Sequence, residues 1–344
     1  MYADFPPVLS LRVTLATAEP QVLPPFLGSA LHGALGRALY KTVCTFPRQP
    51  TCTGCPLVRR CSYPALFQTP APQAETLRAA GIRDQAPRPL VLAPDAGWTR
   101  SSGKPFRLKA NTDIPFRITL IGRAIDDVAV MVVALQTMSR RGLGIPLSLA
   151  TGTTERNKRR ASAEAGGTAK SYRPALRLAC VSTTDGAHAV YDGASDAYTP
   201  SPQPPSDVVD AAERATFELV TPLRLKHSGR FANTLAPVEF FCALARRANA
   251  LGVLHGSGLA VNETEVAGQA AEIRAEHAAL RLVHVTRYSA TQRQRMQWPG
   301  LMGRLRWHGA GLPALWPLLR FGELVQVGKG ATLGFGRYQV VAEP

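Results

Sequence analysis

Val327-Gly328-Lys329-Gly330-Ala331-Thr332-Leu333-Gly334-Phe335-Gly336-Arg337-Tyr338 follows an apolar segment with helical spacing, Leu312 to Val327, and leads into a strand-like Tyr338-Gln339-Val340-Val341. Four glycines in the nine residues 328–336 let a backbone pass close to a bulky neighbour, because glycine has no Cβ and tolerates positive φ. Lys329 and Arg337 place cations at the two ends. Backbone N–H groups and cations together suit a phosphate chain. A glycine run also serves a plain tight turn. It is not a Walker A loop: five residues instead of four separate Gly322 from Gly328-Lys329, and Gly330 stands where Ser or Thr would hold magnesium.

Working back from this loop, one order of elements occurs twice. In the second half Thr216–Leu225 reads as a strand, Pro237–Leu251 as a helix, Leu280–Tyr288 and Leu301–Trp307 as strands, Pro313–Val327 as a helix and Leu333–Val341 as a strand. In the first half Ser10–Thr17 alternates Leu11, Val13 and Leu15 with Arg12 and Thr14. Pro24-Pro25 opens a helix whose apolar stripe runs through Leu27, Leu31, Leu35 and Leu39. Gly28, Gly33 and Gly36 on this helix predict a close neighbour, since each interior glycine costs about 1 kcal/mol relative to alanine. Short strands follow at Arg88–Ala93 and Pro115–Gly122, a helix at Ile125–Met138, an extended stretch at Gly144–Leu149 and a strand at Ala175–Val181. The order β-α-β-β-α-β is the ferredoxin-like unit. The expected fold is α+β, with two tandem ferredoxin-like domains at residues 1–182 and 213–344. A Ser-, Thr-, Asp-, Gly- and Pro-rich linker is expected at 183–212.

The chain has 344 residues, with 40 Lys+Arg against 24 Asp+Glu and a formal net charge of +16. Such an excess favours a polyanionic partner, nucleic acid above all. No run of 18 apolar residues and no signal-peptide pattern occurs, so the expectation is a cytoplasmic protein with no membrane partner.

Within segment 44–61, Cys44, Cys52, Cys55 and Cys61 are spaced C-x7-C-x2-C-x5-C. They are candidate ligands of a structural zinc, and the same spacing also suits partly buried thiols. Residues 151–172 carry Arg156, Lys158, Arg159, Arg160 and Lys170 with almost no large apolar side chain. This basic insertion cannot build a core; it is either a solvated insertion or an arm that orders on a polyanion. Tyr288–Trp298 mixes Arg293 and Arg295 with glutamine and aromatics, a composition that fits RNA by stacking. Arg246 and Arg247 lie opposite the apolar face of their helix, as phosphate ligands or as a solvated surface. His32, Arg37 and Tyr40 are a compact acid–base and cation grouping on one helix. Histidine can take a proton near neutral pH, and arginine can stabilise charge on a transferring phosphate. No Gly-x-Ser-x-Gly, His-Glu-x-x-His or two-metal carboxylate cluster is present.

Several blocks together resemble the RAMP superfamily of CRISPR proteins, and within it the endoribonucleases that mature CRISPR RNA. These are Leu31–Leu39, Cys61–Phe67, Arg141–Gly144, Leu219–Lys226, Ser289–Trp298 with Gly300–Gly303, and the closing Val327–Tyr338. The arginine-rich insertion further resembles the type IV variant, which keeps its product as an effector subunit. The resemblance implies metal-independent, hairpin-specific cleavage of precursor CRISPR RNA within the repeat, with no cofactor for catalysis. The ribose 2′-OH would attack the adjacent phosphate, leaving a 2′,3′-cyclic phosphate and a 5′-OH. It places a general base at His32, with Arg37 and Tyr40 as competitors. It implies RNA contacts by Arg12, Lys329 and Arg337 beside the cations above, and partnership with crRNA and other CRISPR effector subunits. The alternatives are a non-catalytic RAMP subunit that binds guide RNA and a generic RNA-binding protein.

Overall fold

The computed structural model describes residues 5–47, 51–69, 86–99, 103–144, 173–200, 211–227, 230–289 and 294–343. The first unit comprises β1 (Val8–Thr17), α1 (Leu27–Val43), β2 (Leu90–Pro94), β3 (Asp113–Ile121), α2 (Val128–Arg141) and β4 (Leu176–Thr183). Its strands lie in the order β2-β3-β1-β4, each antiparallel to its neighbour. Two short strands, β5 (Ala189–Asp192) and β6 (Ala197–Tyr198), continue the sheet beyond β4. The expected linker therefore begins as sheet. Its Asp-, Ser- and Gly-rich composition serves tight turns: the Asp192 carboxylate accepts from the Ala194 and Ser195 N–H groups at 3.1 and 3.2 Å.

The second unit comprises β7 (Arg214–Leu223), α3 (Pro237–His255), α4 (Glu263–Ala271), β8 (Arg274–Ser289), β9 (Gln294–His308), α5 (Leu312–Val325) and β10 (Tyr338–Glu343). Its sheet is ordered β8-β9-β7-β10. In both units the first strand is central, flanked by the third and fourth, which is the expected ferredoxin-like topology. β1 and β7 show the same alternation of buried and open residues, ending in three buried positions. Leu27, Leu31, Leu35 and Leu39 of α1 are fully buried, each stabilising the fold by roughly 1.5–3 kcal/mol. The hairpin β8–β9 is longer than its apolar pattern suggested, because both strands carry solvent-facing residues between their buried ones. Trp298, expected in a loop, is in β9. α4 has too little apolar periodicity to be read from sequence; Asn262 caps it, accepting from the Thr264 N–H at 3.0 Å.

The two units dock through the outer face of the first sheet. Val91 of β2 and Ile121 of β3 are buried in the core of the second unit, and the Phe5 ring stacks on Phe321 of α5 at 4.4 Å. At the end of α3 the ring nitrogen Nε2 of His255 donates to the Pro87 carbonyl at 2.8 Å. The glycine run closes the other side. Phe335 and Leu333 pack with Phe26 and Val285 in a separate small core, with the Phe26 and Phe335 rings 4.3 Å apart. The Leu333 carbonyl oxygen lies where a Cβ on Gly28 would be, 1.8 Å from the ideal position. Gly28 thus has its close neighbour, and Gly36 has another: the Phe67 ring would lie 2.9 Å from an added Cβ.

Replacing Gly28 with alanine forces the glycine run off α1. Overpacking of this kind costs about 1–3 kcal/mol, and denaturant unfolding of Gly28→Ala should show at least that loss. A stability equal to the parent would mean that the contact is not tight. Burial lowers the pKa of His255. The unfolded chain then binds a proton that the folded one refuses, so this group removes stability as pH falls below roughly 6.5. His255→Gln keeps a donor and should flatten that limb of the stability–pH curve.

Candidate active site and RNA interface

His32 lies on the polar side of α1, half-buried, with the Phe67 ring 4.9 Å from its own. Arg88 Nη1 approaches His32 Nε2 at 3.2 Å. A guanidinium can only donate, so Nε2 accepts. Burial lowers the pKa of Arg88. Arg88 was not among the residues singled out from sequence, where it reads as the first residue of a short strand. The pairing crosses 56 residues of chain.

The three catalytic candidates are not brought to one point. Tyr40 is two helical turns from His32, about 12 Å along the axis, and its hydroxyl donates to the Pro47 carbonyl at 3.3 Å. A hydrogen bond with Cys44, above all, raises its pKa. Arg37 is exposed. Desolvation, then Arg173 and Arg141, lower its pKa, which marks a local excess of positive charge. Arg173 Nε donates to the Gly144 carbonyl at 3.0 Å, so residues 144 and 173 lie side by side, near Arg37.

An aromatic row runs along α1. Tyr40 meets Tyr63 edge-on at 5.1 Å, Tyr63 stacks over Phe67 at 6.0 Å, and Phe67 faces His32. Below Tyr40 opens a cleft of about 320 Å³, into which Cys44, Cys52 and Cys55 face. All four cysteines of the segment are half-buried free thiols. Burial, followed by the other three thiols, raises the pKa of Cys52. Three of them line this cavity, and among the described residues no group of three His, Cys, Asp or Glu is placed to hold a metal ion.

The other predicted RNA ligands divide sharply. Arg12 is half-exposed and 2.9 Å from Asp95. Arg246 is exposed and 3.7 Å from Glu263. Lys329 is exposed on the glycine run. Arg337 is a correction: its guanidinium is buried between the units, donating to the Pro94 carbonyl at 3.1 Å and facing Asp95 at 3.3 Å. Arg247 is a second correction: its Nε donates to Val325 at the C-terminal end of α5 at 2.9 Å, where the helix dipole favours a cation. Burial pushes its pKa down to about 10. The glycine run is likewise not an open cradle. Its N–H groups at Lys329, Leu333, Gly334 and Gly336 bond to carbonyls of Arg224, Gly330, Ala331 and Pro222. Arg156, Lys158, Arg159, Arg160, Lys170 and Arg293 lie outside the described residues, and Arg295 is described only as the β9 partner of Tyr288.

Residues 5–195 match the AF_1859_N family, an N-terminal domain. Residues 217–338 match the CRISPR-associated endoribonuclease Cas6. Among solved structures, Thermus thermophilus Cas6 TTHB231 in a product complex is similar in fold: 16% identical, covering 97% of this chain and 100% of that one, with a TM-score of 0.54. A partial Cas6-RT-Cas1–Cas2 complex is similar at 11% identity and a TM-score of 0.51, covering 99% of this chain and 47% of that one. No curated protein matches. The Cas6 match in the second unit and the fold shared with solved Cas6 structures support a CRISPR repeat-processing protein of the RAMP type. The chain belongs to the AF_1859_N family, and most of its second unit matches the model of the Cas6 endoribonucleases. Among the described residues no helix is long and apolar enough to cross a membrane.

Removing the buried partner of a charge costs about 3–5 kcal/mol. Arg337→Ala should therefore lower unfolding stability by several kcal/mol, although Arg12 still faces Asp95. Lys329→Ala should leave stability within about 0.5 kcal/mol of the parent. Equal effects of the two would contradict the assignment of Arg337 to the fold.

Proposed function

We propose that the protein cleaves precursor CRISPR RNA at its repeat hairpin with His32 as general base and Arg88 as the phosphate-facing cation. The observation that carries this reading is the 3.2 Å contact between Arg88 and His32 on the polar side of α1. It puts a proton acceptor and a cation within one hydrogen-bond length of each other, a spacing that suits a 2′-OH and the phosphate next to it. In the free protein Arg88 holds the lone pair of Nε2. A bound phosphate offers the guanidinium a charged acceptor and releases Nε2 to the 2′-OH. The 2′-oxygen then bonds to phosphorus as its proton passes to His32, the P–O5′ bond breaks, and the proton returns through water to the 5′-oxygen. The products are a 2′,3′-cyclic phosphate and a 5′-OH, and the step needs no metal. Arg37, Arg141 and Arg173 form the surface on which the protein retains its product.

His32→Ala should slow single-turnover cleavage by about 10²–10⁴, and Arg88→Ala by about 10²–10³, both with hairpin affinity nearly unchanged. Tyr40→Phe should have little effect on the rate. Cleavage should persist in EDTA and vanish on a repeat carrying a 2′-deoxyribose at the cut. Unimpaired cleavage by His32→Ala, or cutting of the deoxy substrate, overturns the mechanism. Tight hairpin binding without a cut would favour a guide-RNA scaffold.

A further inference from the structure

The cleft at the C-terminal end of α1 has no part in the step above. Tyr40, Tyr63 and Phe46 supply aromatic surface, Gln68 an amide, and Arg37 and Lys41 cations; among the described residues no carboxylate lines it. Phe46 is 46% exposed, so its ring is open to a ligand in the cleft. The volume of about 320 Å³ lies at the lower end of small-ligand pockets, roughly 300–1,000 Å³. That is room for one planar ring system and too little for a duplex. The row Tyr40–Tyr63–Phe67 joins the cleft to His32. His32, Gly36 and Tyr40 follow at i, i+4 and i+8 on one stripe, while Gly33, Arg37 and Lys41 form the stripe beside it. Rings therefore line one track along the helix and cations the next.

We propose that this cleft receives a single unpaired nucleobase of the bound RNA, from a nucleotide beside the cut, stacked on Tyr63 and edged by Phe46. Its amide reader is Gln68, and the adjoining phosphates face Arg37 and Lys41. Single-stranded bases are held in this way, on aromatic planes with cations tracking the backbone. The site rests on the reading that the RNA is cut at His32, but its occupancy does not require cleavage. It makes the Cys-rich segment a specificity element, with the thiols as the floor under the base.

The test uses uncleavable repeat RNA with a 2′-deoxyribose at the cut, and an abasic nucleotide stepped through the positions around it. With the parent protein one position should lose about tenfold to a hundredfold in affinity. Phe46→Ala and Tyr63→Leu should lose affinity for the intact RNA, and the abasic nucleotide should then cost them little more. Phe46 is exposed, so its variant tests the cleft without risk to folding. A 4-thiouridine at the same position should photocrosslink to the peptides holding Phe46 and Tyr63. Because binding alone is read, these outcomes stand whether or not His32→Ala abolishes cleavage. Losses that add fully for both variants, or no sensitive position, overturn the proposal. So does one equivalent of zinc in the purified protein whose removal unfolds residues 44–61, since the metal would then fill the cavity floor.

Discussion

The Leu333 carbonyl rests against the Cα of Gly28, and the placement of the two units depends on that approach. Only a residue without Cβ admits it. The glycine run that makes it is held from behind by the β7 end of its own unit, through Pro222 and Arg224. On the first unit it reaches β2 as well as α1: an added Cβ on Gly334 would lie 2.6 Å from the Leu92 carbonyl. Arg337 closes the same seam by pairing with Asp95 in the first unit. A segment that looks made for phosphate is thus a staple between domains, and the N–H groups of Lys329, Leu333, Gly334, Phe335, Gly336 and Arg337 are already bonded within the protein.

That constraint explains why cations of one chain have such different fates. Arg224 is buried, with its guanidinium 4.2 Å over Trp298 and 4.4 Å over Phe231 and its Nε donating to the Pro299 carbonyl at 2.9 Å. Arg247 and Arg337 are likewise committed to carbonyls. The charge left for a polyanion sits elsewhere, around Arg37, whose pKa is lowered by desolvation and then by the neighbouring charges of Arg173 and Arg141. Cations placed close together gain from an anionic partner, and α1 carries its histidine on the same helix.

The Cys-rich segment links these parts. Ser62 donates to Asp127 at 2.6 Å, tying it to the start of α2, and Phe67 lies across Gly36 and beside His32. From the other side, His255 of the second unit holds Pro87, the residue before Arg88. The immediate surroundings of His32 therefore come from three separate stretches, and one of those is fixed by the opposite domain.

The sequence by itself determined the architecture. Alternation in β1 and β7, the leucine stripe of α1 and the repeated order of elements are local patterns, set by the periods of strand and helix. The excess of positive charge and the clustering of cysteines are equally direct. Gly28 and Gly36 announced close neighbours without naming them. What only the tertiary structure decided is which polar side chains meet. Arg88 looks like any strand-end arginine until the fold brings it 56 residues back to His32. Arg246 and Arg247 are adjacent in sequence, yet one faces solvent and a glutamate while the other reaches the end of α5. A guanidinium carries no mark of its surroundings in the sequence. Its role is set by the desolvation and the acceptors it meets, and both come from chain far away.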